Sequence, residues 1–400
     1  MHLRARLASF ATAALAAIPL VVLGPAAGAS HAAAHPAPAT AHSCATAKVG
    51  FAACQAIVRT DVVSTAKGVT PNATPSGYGP SSLQSAYNLP SATAGSGRTV
   101  AIVDAYDDPT AEADLAVYRS QFGLPACTTA NGCFKKIDQN GGTSYPRTNG
   151  GWAQEISLDL DMVSAICPNC HILLVEAKSN SFANLGAAVN RAAVTPGVVA
   201  ISNSYGGGDA SDATYGSYYN HPGIAVTAST GDNGYGASYP ADSHYVTAVG
   251  GTHLVSASNS RGWTETAWSG AGSGCSAYNT ALSGAASFNT GCANRAVADV
   301  SAVADPATGV AVYDSTAYQG LSGWLVFGGT SVSAPIIGSV YALAGNTASI
   351  DNNYPYTHSS ALWDVTSGSN GSCTTTQWCN ARAGWDGPTG LGTPNGVGAF

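Results

Sequence analysis

The chain has 400 residues, 45% of them hydrophobic and only 9% charged, with Lys+Arg 15 against Asp+Glu 22 for a net charge of −7. That length and apolar content suffice to bury a large core. The 47 glycines follow no three-residue period, which excludes a collagen-like chain, and no basic cluster is present to grip a phosphate backbone, which sets nucleic acid aside as a partner.

Residues 1–29 read as a secretory signal. Arg4 and Arg6 give a basic start, FATAALAAIPLVVLG is a short apolar run, and Ala27-Gly28-Ala29 offers a cleavage site before Ser30. The rival reading, a membrane anchor, meets an apolar run that is too short, and no second run of spanning length follows. A secreted, extracellular protein with no membrane partner is therefore expected. Residues 30–77 are expected to form a short leader, a cysteine-stapled element and a polar linker, the leader being the Ala/Pro/His-rich stretch SHAAAHPAPATAHS. The main domain is expected over 78–400.

Within that domain RTVAIVDAYD (98–107) reads as an apolar strand ending in acids, and AEADLAVYRSQFG as a helix closed near Gly123. GWAQEISLDLDMVSAICP is a second helix, stopped near Pro168. HILLVEA (171–177) is a buried strand, SFANLGAAVNRAA a helix and VVAISNSYG a strand. IAVTAST and HYVTAVGG follow as further strands, and SVSAPIIGSVYALAG is a long buried helix with Ser331 at its start. Short apolar strands alternating with helices predict an α/β fold with a central, mostly parallel sheet flanked by helices on both faces. Such sheets place reactive residues beyond the carboxyl ends of their strands.

The ten cysteines fall into five close pairs, Cys44/Cys54, Cys127/Cys133, Cys167/Cys170, Cys275/Cys292 and Cys373/Cys379. In an exported chain short-loop disulfides are the simple reading. Cys167-Pro168-Asn169-Cys170 also has the spacing of a zinc knuckle or a redox pair, although no second such pair accompanies it.

The stretch FGGTSVSAPI (327–336) has the look of a serine nucleophile turn at the head of a helix. Such a serine needs a base. His171, His221, His244, His253 and His358 all lie in strands, turns or polar loops, and none has the helix-start setting of a subtilisin-type base. The helix with Glu155 and Asp159 offers an alternative. Four residues apart, the two acids share one face among Ile156, Leu158 and Leu160. Two carboxyls so placed repel when both ionise, and burial with a shared proton relieves this. The plainer reading is a solvated acidic face that Asp161 continues. Asp232, in the glycine-rich turn VTASTGDNGYG (226–236), is a further acid; alone it reads as a turn cap.

Taken together these segments resemble the sedolisin family, the serine-carboxyl peptidases. GGTSVSAP resembles the nucleophile motif and EISLD the paired Glu/Asp helix. ISNSYGG (201–207) with ASTGD (228–232) resembles the central segment, and DVTSG (364–368) with AGWDGPTGLGTPNG (383–396) the calcium-binding tail. The resemblance spans about 78–400, with the elements in the family's order. It implies a subtilisin-like fold and a serine-type endopeptidase acting on proteins or peptides in acid, as a monomer. Ser331 would be the nucleophile, Glu155 the general base, Asp159 its partner and Asp232 the protonated acid facing the oxyanion. One structural Ca2+ would take carboxylate oxygens from Asp364 and Asp386 and main-chain carbonyls from Val365, Arg382 and Gly384, hard oxygen ligands suited to that ion. The chain departs from the family in three places. Arg382 stands where Gly is more usual, and Tyr205 follows Ser204 where Trp is common. Only about 50 residues lie between the proposed signal cleavage and the main domain, where the family commonly has a large pro-domain. Rival readings are an ordinary subtilisin-like protease, a catalytically inactive binding protein on the same fold, and a glycosidase, whose paired acids usually sit on opposing elements.

Overall fold

The computed structural model describes residues 1–2, 37–62 and 75–400. The chain separates into Met1–Ala37 and Pro38–Phe400, and every element named below belongs to the second unit. The signal expected over 1–29 lies, after its first two residues, outside the described residues, as do 63–74 of the expected linker.

Three short strands open the unit, β1 (Thr40–His42), β2 (Ala53–Cys54) and β3 (Ile57–Arg59). β1 runs antiparallel to β3, and the Cys44–Cys54 disulfide staples the connection between them. Then come α1 (Pro80–Ala86), β4 (Thr99–Ala105), α2 (Ala111–Gln121), β5 (Phe134–Asp138), α3 (Gly150–Ile166), β6 (His171–Ala177), α4 (Phe182–Ala193), β7 (Val198–Asn203) and β8 (Tyr205–Gly208). The short α5 (Asp212–Tyr215) leads to β9 (Ala225–Ser229), β10 (Ser238–Tyr239), β11 (Thr247–Ser256) and β12 (Trp263–Ala267). A ribbon of β13 (Gly274–Cys275) and β14 (Ala296–Val297), then β15 (Val300–Val303), precede the hairpin of β16 (Val310–Tyr318) and β17 (Leu321–Gly328), which feeds α6 (Thr330–Ala344). Near the C-terminus β18 (Leu362–Trp363) pairs with β19 (Thr393–Pro394).

The central sheet has the order β12-β11-β9-β7-β4-β6-β5, with β15 also on β11. Every pair is parallel except β11 with β12. β4 lies in the middle and is buried along its whole length. Its alternation decides where chemistry falls: Val100 and Ile102 join the core beneath α3 and α6, whereas Ala101 and Val103 join the core beneath α4. Asp104 continues the first series, toward α3.

The stretch read from sequence as leader and separate element does not stand apart from the body. Tyr205 and Gly206 of β8 pair with Cys54 and Ala53 of β2, and Phe327 and Gly328 of β17 pair with Val58 and Ile57 of β3. The cysteine-stapled element is instead paired to two strands of the body, with Ala52, Ala56 and Val58 fully buried. All five expected cysteine pairs are disulfides, so Cys167 and Cys170 form neither a zinc knuckle nor an open dithiol. Among the described residues no helix is long and apolar enough to cross a membrane.

A buried ion pair fixes the approach to β15. The Arg295 guanidinium meets both oxygens of Asp299, at 2.7 Å and 2.5 Å, with both side chains fully enclosed. Asp299 also accepts from Ala248 N at 2.7 Å and from the Tyr356 hydroxyl at 2.6 Å. Asp299→Ala strands a buried guanidinium and is expected to lower stability by about 3–5 kcal/mol, read by chemical denaturation.

Candidate active site

α3 starts on Asn149, whose side chain accepts from Gly151 N at 3.1 Å and Trp152 N at 3.2 Å. From Gly151 onward every residue of the helix is buried, so the reading of a solvated acidic face does not hold. Glu155 and Asp159 are both fully enclosed and point at the β4 face carrying Asp104, also fully enclosed. Neither oxygen of Glu155, neither oxygen of Asp104, nor Asp159 Oδ2 has a hydrogen-bond donor. Burial raises Glu155 well above the ordinary carboxyl range, and the charges of Asp159 and Asp104 add to it. Burial raises Asp159 likewise, with Asp104 adding, and burial pushes Asp104 up to about 8. Three enclosed carboxyls with five acceptor oxygens that no protein donor reaches favour a cluster that holds protons.

Asp161, two residues on, serves the structure. Its Oδ2 accepts from Tyr313 N at 2.9 Å and anchors β16 to the helix.

Ser331 lies in the first turn of α6 and is fully buried. Its hydroxyl donates to the Ser204 carbonyl at 3.2 Å, and it is close enough to Glu155 to oppose the rise in that group's pKa. Ser204 in turn donates to Asp159 Oδ1 at 2.7 Å and reaches the Ser331 carbonyl at 3.4 Å. The second contact has a clear origin. Pro335, four residues after Ser331, has no N–H to offer that carbonyl within the helix.

Asp232 follows β9 and caps α6. Its Oδ1 accepts from Thr330 N at 2.7 Å and from the Thr330 hydroxyl at 2.8 Å, while Oδ2 is buried without a partner. Burial pushes Asp232 up to about 7, against the pull of the two Thr330 donors. Between Ser331 and Asp232 the chain turns at Gly329, with φ of +98°. A Cβ there would lie 2.6 Å from Asp232 Oδ2 and 1.9 Å from the Gln55 carbonyl oxygen, so only glycine fits.

The structure thus gathers Ser331, Glu155, Asp159 and Asp232 at one place, where the strand ends of β7 and β9 meet the head of α6. Sequence reading missed Asp104 and Ser204. The signal for Asp104 was its place in the Val100, Ile102, Asp104 series of a strand covered by α3. Nothing in the sequence pattern marked Ser204 as the link between Asp159 and α6.

The expected metal residues also come together, in a different place. Gly384 N donates to Asp364 Oδ2 at 2.9 Å, and Arg382 N to Asp386 Oδ2 at 3.1 Å. Asp386 Oδ1 accepts from Thr389 N at 2.9 Å and from its hydroxyl at 2.8 Å. Burial lifts Asp386 to about 7, and the Asp364 charge contributes. No donor among the described residues reaches the carbonyl oxygens of Val365, Arg382 or Gly384. No group of three or more His, Cys, Asp or Glu able to hold a metal ion occurs among the described residues.

A serine at a helix head, backed by carboxyls where a histidine would otherwise stand, defines the class of site. No family model matches the chain. It is 30% identical to kumamolisin of Bacillus sp. (strain MN-32) over 368 residues, 82% of this chain and 63% of that protein. It is also 30% identical to sedolisin of Pseudomonas sp. (strain 101) over 177 residues, 40% of this chain and 29% of that protein. The chain therefore spans less than two thirds of the length of these curated relatives. Among solved structures the fold is similar to Pseudomonas sedolisin, a serine-carboxyl proteinase complexed with pseudo-iodotyrostatin, with a TM-score of 0.66 at 24% identity, covering 81% of this chain and 96% of that one. It is also similar to the S41 psychrophilic protease, with a TM-score of 0.52 at 17% identity, covering 81% and 99%. The chain belongs to the sedolisin family of serine-carboxyl peptidases.

The cluster makes stability depend on pH. A raised carboxyl pKa means that the native state holds a proton the unfolded chain releases. Its contribution is full below the ordinary carboxyl value of about 4 and is lost as pH rises through about 7 for Asp232 and about 8 for Asp104. Stability to urea should therefore fall between about pH 4 and pH 8, by about 1.4 kcal/mol per pH unit for each proton retained. Asp104→Asn should flatten that slope. Stability that climbs through this window would contradict the protonated cluster.

Proposed function

We propose that the protein is a secreted serine-type endopeptidase that cleaves proteins or peptides in acid through an acyl-enzyme. The observation that carries this reading is Ser331 beside a buried Glu155/Asp159/Asp104 cluster, with the bare oxygen of Asp232 on the other side of the same turn. Five disulfides in the chain support export.

In this mechanism Ser331 Oγ turns from the Ser204 carbonyl toward Glu155 and attacks the scissile carbonyl carbon. Glu155 takes the serine proton and delivers it to the leaving amine. Asp159, held by Ser204, shares a proton with Glu155 and fixes its direction, and Asp104 behind it keeps the cluster's proton count up. The developing oxyanion faces Asp232 Oδ2. That oxygen can donate only while Asp232 is protonated, and its fellow oxygen is fixed by Thr330. The Ser331 N–H, in the first turn of α6, adds a second donor and the favourable end of the helix dipole. Asp232 loses its proton through about pH 7, so activity should be high in acid and fall toward and beyond neutrality.

The residues at 364–386 fit one structural calcium ion. The two neighbouring carboxylates repel when both are ionised, and three carbonyl oxygens beside them lack donors. Asp364, Asp386 and the carbonyls of Val365, Arg382 and Gly384 would hold it, and the ion would supply positive charge between the two carboxylates.

Two tests follow. Hydrolysis of a mixed peptide library, followed across pH, should peak in acid and vanish in Ser331→Ala. Glu155→Gln should lose about 10^4-fold or more, and Asp232→Ala about a hundredfold or more. Asp232→Asn, which keeps an N–H donor without titrating, should retain part of the rate and extend it toward higher pH. Full activity at neutral pH in Glu155→Gln would remove this mechanism. For the ion, Tm should rise with added Ca2+ and fall with chelator, by an amount equivalent to about 2.7 kcal/mol at a hundredfold excess over Kd. Asp386→Asn should abolish the difference.

A further inference from the structure

Asp232 sits in a turn that its own backbone does little to define. Gly231 and Gly234 flank it in the left-handed region, with φ of +108° and +74°. Glycines lose more chain entropy on ordering than other residues, so such a turn keeps its shape through contacts from outside. Those contacts come from three places. From α6, the Thr330 hydroxyl accepts from Gly231 N at 3.0 Å and donates to Asp232 Oδ1 at 2.8 Å. The segment 270–273 runs alongside. Gly272 N donates to the Gly231 carbonyl at 2.7 Å, Gly234 N to the Gly270 carbonyl at 2.8 Å and Gly236 N to the Ser273 carbonyl at 2.7 Å. The third place is Asn370, whose carbonyl accepts from Tyr235 N at 3.0 Å.

Asn370 also holds the second of these supports. It is buried, and its Nδ2 donates to the Ala271 carbonyl at 2.6 Å and to the Ser273 hydroxyl at 2.8 Å. The Ser273 hydroxyl spends its own proton on the Trp378 carbonyl at 2.6 Å, and a carbonyl only accepts, so both partners require the amide nitrogen on their side. The backbone of Asn370 is fixed by the loop that carries it. Asn370 N donates to the Cys379 carbonyl at 3.0 Å, Ser369 Oγ donates to the same carbonyl at 2.9 Å, and the Cys373–Cys379 disulfide closes the loop. The layers touch without a spacer. A Cβ on Gly272 would lie 1.9 Å from the Thr230 carbonyl oxygen, and one on Gly234 would lie 2.6 Å from the Asn370 carbonyl oxygen.

We propose that Asn370 is a positioning residue for the peptidase reaction: from its disulfide-closed loop it clamps the turn 231–236 against the segment 270–273, and so keeps Asp232 Oδ2 enclosed and aimed at the oxyanion. The inference rests on the peptidase reading above. It extends that reading to a residue that acts through Asp232 and stands apart from the reacting atoms.

The clamp bears on chemistry in two ways. A donor to the oxyanion works only from a fixed place, because its bond is made in the transition state. It must also keep its proton, and burial is what holds the Asp232 proton on. The surroundings offer few other groups that could do so. Glu155 faces Asp232 from α3. α6 presents the hydroxyls of Thr330 and Ser331, β9 leads in through Ser229 and Thr230, and the turn itself adds Tyr235. Neither 270–273 nor 369–371 carries a titratable side chain. Enclosure therefore governs this proton, and the layer of 270–273 held by Asn370 is part of the enclosure.

The test measures kcat and KM across pH, on a peptide that the unaltered protein cuts, for Asn370→Ala, Asp232→Asn and the two combined. Asn370→Ala should lose roughly tenfold in kcat while KM moves by less than about threefold. Its alkaline limb should move to lower pH by about half a unit or more, because water that reaches Oδ2 lets Asp232 release its proton earlier. Asp232→Asn has no such proton. Adding Asn370→Ala to it should move no limb and should cost less than tenfold, a coupling that the combined variant reads directly. Should Asn370→Ala not fold, Ser273→Ala, which removes one of the two acceptors of the amide, should move kcat and the limb in the same directions by a smaller amount. A folded Asn370→Ala with unaltered kcat and an unaltered limb overturns the inference alone. An equal loss in the presence and absence of Asp232→Asn, with no change of pH profile, does the same, since it marks general loosening. No Ser331-dependent hydrolysis by the unaltered protein at any pH overturns both the inference and the peptidase reading.

Discussion

Three carboxyl groups sharing one dry space between β4 and α3 are the constraint from which the rest of this molecule's behaviour follows. Charges this close in a low-dielectric interior cannot all be ionised, since both desolvation and mutual repulsion oppose it. The space must therefore hold protons, and whatever holds protons can also pass them. Maintaining it requires that α3 be enclosed on every side, which the central sheet, α2, α6 and β16 accomplish together. It also requires that Ser331 be brought to the open end of the cluster. Pro335 takes part here. By removing one helical N–H it frees the Ser331 carbonyl for Ser204, and Ser204 is the group that orients Asp159. The helix that carries Ser331, the helix that carries Glu155 and Asp159, and the end of β7 are thereby fixed to one another through a single hydroxyl.

Much of this was legible in the residues. The α/β layering came from short apolar runs alternating with helical ones. The Glu155/Asp159 pair declared itself because two acids on an otherwise apolar face have no ordinary reason to be there. Asp104 escaped notice because a lone acid at the end of an apolar strand looks like the strand's exit to solvent. Only the knowledge of which face α3 covers reverses that reading. Residues 40–59 misled for a different reason. The first of them end a stretch with the composition of a flexible leader, the rest read only as a small cysteine-stapled element, and the contacts that order them come from β8 and β17, some 150 and 270 residues away in the chain. Pairing across such separations leaves no local pattern in either partner. The paired cysteines were the one sign that this segment keeps a fixed shape.

Acid then acts on fold and chemistry through the same protons. At low pH the carboxyl cluster is satisfied, Asp232 can donate, and the native state gains what the unfolded chain would lose. The usual penalty of acid, repulsion among positive charges once the carboxylates are neutral, is small here. Only 15 Lys and Arg and 9 His are spread over 400 residues. Toward neutrality each of these advantages reverses, because the cluster must either ionise in a dry space or keep protons the solvent no longer supplies. A protein built this way need not trade stability for an acid-active site. In the proposed mechanism the carboxyls that would destabilise an ordinary core at pH 7 hold protons in acid, all but the one that Glu155 must be free to accept from Ser331.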